Sequence, residues 1–276
     1  MNEACPEPID GEAAARLIEP LTELVIRAGE AILAVNRAGM KIDGKQDGSP
    51  VTEADLAADK VIGEGLARIV PQVPSLSEER VHLAQCPYRG SFFLIDPLDG
   101  TKEFIAGRNE FTVNLALVSA GKPLLGFVGA PALGLLWRGL VGRGAERVTM
   151  ARNLITSVEP IRTRAHPPQG KPWTVAVSRS HGDRRSEDFI AKRPGAVRAE
   201  LGSAVKFARV AEGAVDIYPR LGPTSEWDVA AGHAVVTAAG GKMTDSLGAE
   251  LHFGLGREDF IVPEFIAWGD PSAASF

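Results

Sequence analysis

The sharpest chemical signature in the chain is the segment FFLIDPLDGTKEF at residues 92–104. Four apolar residues drive a buried strand up to Asp96, and Pro97, which fixes φ and carries no N–H, is expected to stop the ladder there. The turn that follows brings Asp99 back beside Asp96, so two carboxylates share one pocket. Between them Leu98 can offer only its backbone carbonyl, a third hard oxygen, and hard oxygens suit Mg²⁺. Gly100 lets the chain approach a ligand closely. If Thr101 opens a helical turn, its N–H and that of Gly100 face one point, as an anion site requires. D-P-x-D-G standing alone is more often an exposed turn, because Asp, Pro and Gly are the commonest turn residues.

Other acidic segments raise the chemical reading. Leu76-Ser77-Glu78-Glu79 follows a Pro-rich stretch and puts two acids at a strand end, or else a solvated charge pair before a loop. Glu226-Trp227-Asp228 precedes the Ala/Gly helix VAAGHAVVTAAGG and adds two further acids, although the plainest local role of Asp228 there is an N-cap. Thr52-x-x-Asp55 has the form of a capping box and predicts a helix from Thr52 to about Ile69, before Pro71. The histidines show no ligand spacing such as HExxH, and His233 reads as a packed side chain. Neither GxGxxG nor a P-loop is present: Gly240-Gly241-Lys242 lacks the upstream glycine and the following Ser or Thr.

The elements that must hold these acids are legible from periodicity. Apolar positions at helical spacing over 11–39 predict an amphipathic helix beginning at Pro20 or a turn earlier. A polar loop, DGKQDGSP, leads to the second helix. Strands are expected at Phe92–Ile95, at Thr112–Val118 and twice within Leu124–Leu136, turning at Ala130–Gly134. Patterning weakens near 145–165, and a further strand signal appears at Trp173–Val177. The expected architecture is α/β, a two-lobe alternating α/β layered sandwich: an N-terminal lobe over 1–150 with most of the acids, and a C-terminal lobe over 151–276 with Asp228.

The 276 residues carry 30 Lys+Arg against 35 Asp+Glu, a net charge of −5 that argues against a nucleic-acid polymer as partner. Cys5 and Cys86 are too few for a disulfide scaffold and lie in no Cys/His cluster. The acidic start MNEACPEPIDGE is unlike a signal peptide. The longest uncharged run, Leu124 to Trp137, falls short of the ~18–20 residues that span a bilayer. A cytoplasmic protein is expected, monomer or homodimer, with peripheral association with the inner membrane left open.

Taken in order, VTEAD (51–55), LSEE (76–79), DPLDGTKEF (96–104), NEFTVNLAL (109–117) and WDVAAGHAVVTAAGG (227–241) resemble the inositol monophosphatase-like superfamily of Mg²⁺-dependent, lithium-sensitive phosphatases. The resemblance covers roughly residues 15–260. Lys102-Glu103, SEE, SRSH (178–181) and AEGAVDIYPRLGPTSEWD (211–228) are most similar to its CysQ-type 3′(2′),5′-bisphosphate nucleotidases. The resemblance implies two or three Mg²⁺ per site: Glu78, Asp96 and the Leu98 carbonyl on one, Asp96, Asp99 and Asp228 on a second. It implies that Thr101, hydrogen-bonded to Asp55, orients the attacking water. A substrate would also meet Glu78, Leu98, Asp99, Gly100, Thr101 and Asp228, with Ser178, His181, Gly202, Ser203, Lys206 and Arg220 on the nucleoside and second phosphate. The implied reaction removes the 3′-phosphate of adenosine 3′,5′-bisphosphate to give AMP and phosphate, within sulfur assimilation, with the sulfated analogue as a further substrate. Inositol-1-monophosphatase or fructose-1,6-bisphosphatase activity is the enzymatic alternative, and a non-catalytic bisphosphate-nucleotide sensor the alternative of another class.

Overall fold

The computed structural model describes residues 8–37, 39–44, 50–83, 90–152, 154–179, 182–254 and 260–275. Cys5, Cys86 and His181 lie outside them. The chain opens with a short helix α1 (Gly11–Ala15) and the amphipathic α2 (Ile18–Ala34). Pro20 sits in the first turn of α2, where a missing N–H costs nothing. The polar loop holds a small hairpin of β1 (Ile42–Gly44) and β2 (Pro50–Thr52), with 45–49 outside the described residues. Thr52 then caps α3 (Glu53–Ile69).

Strands β3 (Ser75–Ser77) and β4 (Ser91–Asp99) pair in parallel. After helix α4 (Thr101–Ile105) come β5 (Thr112–Ser119), β6 (Lys122–Ala130), β7 (Leu135–Leu140), β8 (Gly144–Ala151) and β9 (Leu154–Ile161). With β4 these pair antiparallel in chain order, giving a seven-stranded sheet. Phe93 and Ile95 pack with α2 and α3, whereas Phe92 and Leu94 join a second cluster on the opposite face. A sheet covered on both sides explains why β4 is apolar without alternation.

The rest of the chain forms β10 (Thr174–Ser178), α5 (Arg184–Ala191), β11 (Val197–Leu201), α6 (Val205–Ala211) and β12 (Ile217–Arg220). The short β13 (Thr224–Ser225), α7 (Glu226–Ala238), β14 (Lys242–Thr244), β15 (Ile261–Val262) and β16 (Phe265–Trp268) follow. The second sheet has the order β11-β10-β12-β16-β14. The layers therefore run α2/α3, seven-stranded sheet, α6/α7, five-stranded sheet, α5, an alternating α/β sandwich as expected.

Two features of the sheets bear on the expected division at 150/151. The first sheet continues past residue 150 to Ile161, because β9 pairs with β8 along its whole length. The halves also share a core: one hydrophobic cluster runs from Phe92 and Leu94 through α7 to Tyr218 and Phe265. The Ala/Gly character of α7 has its reason here. A Cβ on Gly126 of β6 would lie 2.4 Å from the Ala231 carbonyl, so helix and sheet approach closely only because that side chain is missing.

Candidate active site

Pro97 interrupts β4 rather than ending it. The β4–β5 ladder pairs Asp96 with Asn114, breaks, and resumes with Asp99 opposite Thr112. A bulge of this kind re-aims side chains, and here it delivers both aspartates to one cavity. Asp96 Oδ1 accepts from the Leu98 N–H at 3.0 Å, closing the bulge. Gly100 then takes φ +90°, a left-handed value that frees the chain to start α4 at Thr101.

The cavity, about 220 Å³, is walled on this side by Glu78, Asp96, Leu98, Asp99, Gly100 and Thr101. Its other wall comes from the second half of the chain: Ser178, Ser203, Lys206, Arg220 and Asp228. Asp55 stands behind Thr101, whose hydroxyl lies 3.1 Å from Asp55 Oδ1 and 3.2 Å from the Leu98 carbonyl. The other Asp55 oxygen accepts from the Thr52 N–H (2.8 Å) and hydroxyl (2.6 Å). One oxygen caps the helix while its twin is left for Thr101.

Asp228 is placed by the same device. It is the third residue of α7 and not its N-cap, which is Ser225, whose N–H donates to Asp228 Oδ2 at 3.3 Å. Thr52-Glu-Ala-Asp55 and Ser225-Glu-Trp-Asp228 thus set a carboxylate at the start of a helix, where the helix dipole favours negative charge. Glu226, at the first position of α7, turns away and accepts from the Gly254 N–H at 2.8 Å.

The electrostatics of the wall are one-sided. Asp96 is held well above the usual carboxylate range by burial first, and then by the charges of Glu78, Asp99, Asp228 and Asp55. Asp99 is pushed up to about 6 by burial and Asp228, with Lys206, the Asn114 amide and Arg220 acting the other way. Burial raises Asp55 as well, against its hydrogen bonds from Thr52 and Thr101. Among the described residues no three His, Cys, Asp or Glu side chains form a preassembled metal cage. The donor set nonetheless fits a hard divalent cation, since buried like charges around Asp96 are relieved only by positive charge between them.

Residues 14–269 match the inositol monophosphatase family. The chain is 40% identical over 258 residues to the 3′(2′),5′-bisphosphate nucleotidase CysQ of Salmonella typhimurium and 39% identical to that of Escherichia coli K12. Each alignment takes in 90% of this chain and 98% of the relative. The crystal structure of CysQ from Bacteroides thetaiotaomicron superposes with a TM-score of 0.76 at 32% identity, covering 91% of this chain and 96% of that one. This chain belongs to the inositol monophosphatase family.

Of the expected site residues all but His181 are among the described ones, and these share the cavity with two exceptions. Gly202 does not line it: its N–H donates to Glu110 Oε2 at 2.9 Å. Asp55 reaches the site only through Thr101. Lys206 lines the cavity but is deeply buried, with Nζ donating to the Ser203 carbonyl (2.6 Å) and approaching that of Leu201 (3.4 Å). Burial lowers it to about 8, with Asp99 pulling it back up. Two of its three donors serve its own turn, and one is left for a ligand. Arg220 spends one nitrogen on the Pro223 carbonyl at 3.2 Å.

Sequence reasoning missed Thr112 and Asn114. Both are fully buried, and both approach Asp99 Oδ2, at 3.5 Å and 3.4 Å. Asn114 Oδ1 is buried with no hydrogen-bond partner. Two polar residues at i, i+2 inside the otherwise apolar strand FTVNLALV were the available signal, since such spacing puts both on one face.

Proposed function

We propose that this chain is a Mg²⁺-dependent phosphatase that removes the 3′-phosphate from adenosine 3′,5′-bisphosphate. The observation that carries the reading is the make-up of the cavity: Glu78, Asp96 and Asp99 meet Asp228 across it, and Lys206 and Arg220 stand in the wall contributed by the second half, close enough to act on Asp99. The names of the CysQ relatives support the substrate class.

Glu78, Asp96 and the Leu98 carbonyl would hold one Mg²⁺, and Asp96, Asp99 and Asp228 another. Bound there, Mg²⁺ supplies Lewis-acid charge to the phosphoryl oxygens and makes the attacking water more acidic. The chain's own part is orientation. The Thr101 hydroxyl donates to Asp55 Oδ1, so its oxygen lone pairs are turned to accept a proton of the water. Thr52 holds Asp55 against rotation, and this positioning needs no covalent nucleophile. Lys206 and Arg220 provide charge for the 5′-phosphate, and Ser178 and Ser203 provide polar contacts for the nucleoside.

The test is phosphate release from a panel of phosphomonoesters with Mg²⁺ and with excess EDTA. Adenosine 3′,5′-bisphosphate is expected to exceed inositol 1-phosphate by about 10²-fold in kcat/KM, the size of one or two charge-assisted hydrogen bonds. A preference for inositol 1-phosphate would overturn the substrate assignment, and full activity in EDTA would overturn the metal mechanism.

A further inference from the structure

Glu110 has no part in the chemistry above, yet three segments of the cavity wall meet at it. Its carboxylate Oε2 accepts from the Gly202 N–H at 2.9 Å and from the Arg179 guanidinium at 2.6 Å. Its backbone carbonyl is packed against Gly202 and against Gly100 of the cavity wall: a Cβ on Gly202 would lie 2.6 Å from it, and one on Gly100 3.3 Å. Two residues further on, Thr112 continues the same seam. Its hydroxyl lies 3.1 Å from Ser203 Oγ and accepts from the Ala204 N–H at 3.4 Å.

The segments joined at this point have different tasks. Gly100 precedes Thr101 and follows the two bulge aspartates, in the wall built by β4, and a Cβ on it would lie 3.3 Å from that of Ser203. Gly202 and Ser203 lead into α6 and Lys206, in the wall contributed by the second half, and the Ser203 carbonyl is the acceptor of the Lys206 ammonium. Ser203 itself takes φ +39°, unusual for a residue with a Cβ, so the turn needs external restraint to keep its shape. Arg179 follows Ser178, which lines the cavity, and also donates to the Glu200 carbonyl at 3.1 Å.

We infer that Glu110 is a positioning residue for substrate choice, a strut that fixes how the Ser203–Lys206 turn sits against the phosphate-cleaving wall of the cavity. The inference rests on the proposed bisphosphate reading. A substrate that engages both walls senses that placement, whereas a small phosphomonoester has no second phosphate to set against Lys206. The carboxylate is suited to the task because one oxygen atom ties a backbone amide and a guanidinium, a charge-assisted junction stronger than neutral hydrogen bonds.

The experiment compares wild type, Glu110→Gln and Glu110→Ala on adenosine 3′,5′-bisphosphate and on p-nitrophenyl phosphate at saturating Mg²⁺, with thermal unfolding run alongside. Glu110→Ala should raise KM for the bisphosphate about 10-fold, the scale of one charge-assisted bond. Its kcat/KM on p-nitrophenyl phosphate should move less than about 2-fold. Glu110→Gln keeps an acceptor for Gly202 but loses the ion pair with Arg179, so it should fall between the two and decides the matter if the alanine variant does not fold. Equal losses on both substrates, or an unchanged ratio between them, would overturn the strut. A wild type that does not prefer the bisphosphate would instead overturn the nucleotidase reading beneath it.

Discussion

Buried acids occur in two settings in this molecule. Asp216, just before β12, is fully partnered: Arg164 Nε meets one oxygen at 2.6 Å and the Thr174 N–H the other at 2.6 Å. Asp59 on α3 is similar, taking Ser77 Oγ at 2.6 Å and Arg80 Nε at 2.9 Å. In the cavity, by contrast, Asp96 is 1% exposed and the charges acting on it are those of other acids. Folding selects the first arrangement, because a buried charge is tolerated when paired and hydrogen-bonded. The second works against folding and makes sense only for a ligand that brings positive charge.

The strongest way to break this contrast is Asp96→Asn. It should lower kcat by about 10³-fold, the scale for losing a group that organises transition-state charge. It should also raise the unfolding midpoint of the metal-free protein, since a neutral amide removes the repulsion. Asp99→Glu should cost less activity than Asp96→Asn. An active Asp96→Asn enzyme of lowered stability would place Asp96 with Asp216 instead.

Thr101 sharpens the comparison from the chemical side. Thr101→Ala should reduce kcat by about 10²-fold with little change in KM, the usual scale for a group that positions a proton transfer, whereas Thr101→Ser should keep much of the activity. Equal losses in the two variants would assign the role to the methyl group. For the structural acid the pattern reverses. Asp216→Asn should destabilise by about 2 kcal/mol, because it strands Arg164 at a half-exposed position, while kcat at low temperature stays near that of wild type. Chemical denaturation and initial rates measure both.

The difference between the two settings also explains what was legible in the sequence. DPLDGT announces itself because a bulge, a turn glycine and a helix start each demand particular residue types within a few positions. Thr52-x-x-Asp55 was readable as a cap, and the cap left one oxygen for Thr101, so the local signal and the site use the same carboxylate. The plainest local reading of Asp228, an N-cap, does not hold because Ser225, three residues earlier, fills that place. The hairpin at 42–52 and the extension of the first sheet through β9 were missed for another reason. β9 exposes Leu154, Ile155 and Val158 at an edge, so no buried alternation marks it. The Glu110, Thr112 and Ser203 seam joins residues about 90 apart, and single-sequence periodicity carries no information on such contacts.

The smallest expected effect is also the most direct measure of the contrast. Asp99 titrates near 6 in the fold against an ordinary value of 3.8. A raised carboxylate contributes stability that is fully present below the unfolded value and is lost as pH rises through the folded one. Asp99→Asn removes this dependence, so the metal-free variant and wild type should unfold together near pH 4. The gap should then open in the variant's favour between about pH 4 and 6 and stay open above. Partial exposure of Asp99 keeps the gap to on the order of 1 kcal/mol, about 2 °C in a chain of this size. Saturating Mg²⁺ should close or reverse it by stabilising wild type more than the variant, which lacks one ligand of the second metal position, since a ligand that binds only the folded state shifts the equilibrium toward it. A gap independent of pH would mean that the asparagine acts through packing, and no response to Mg²⁺ would remove Asp99 from the metal set.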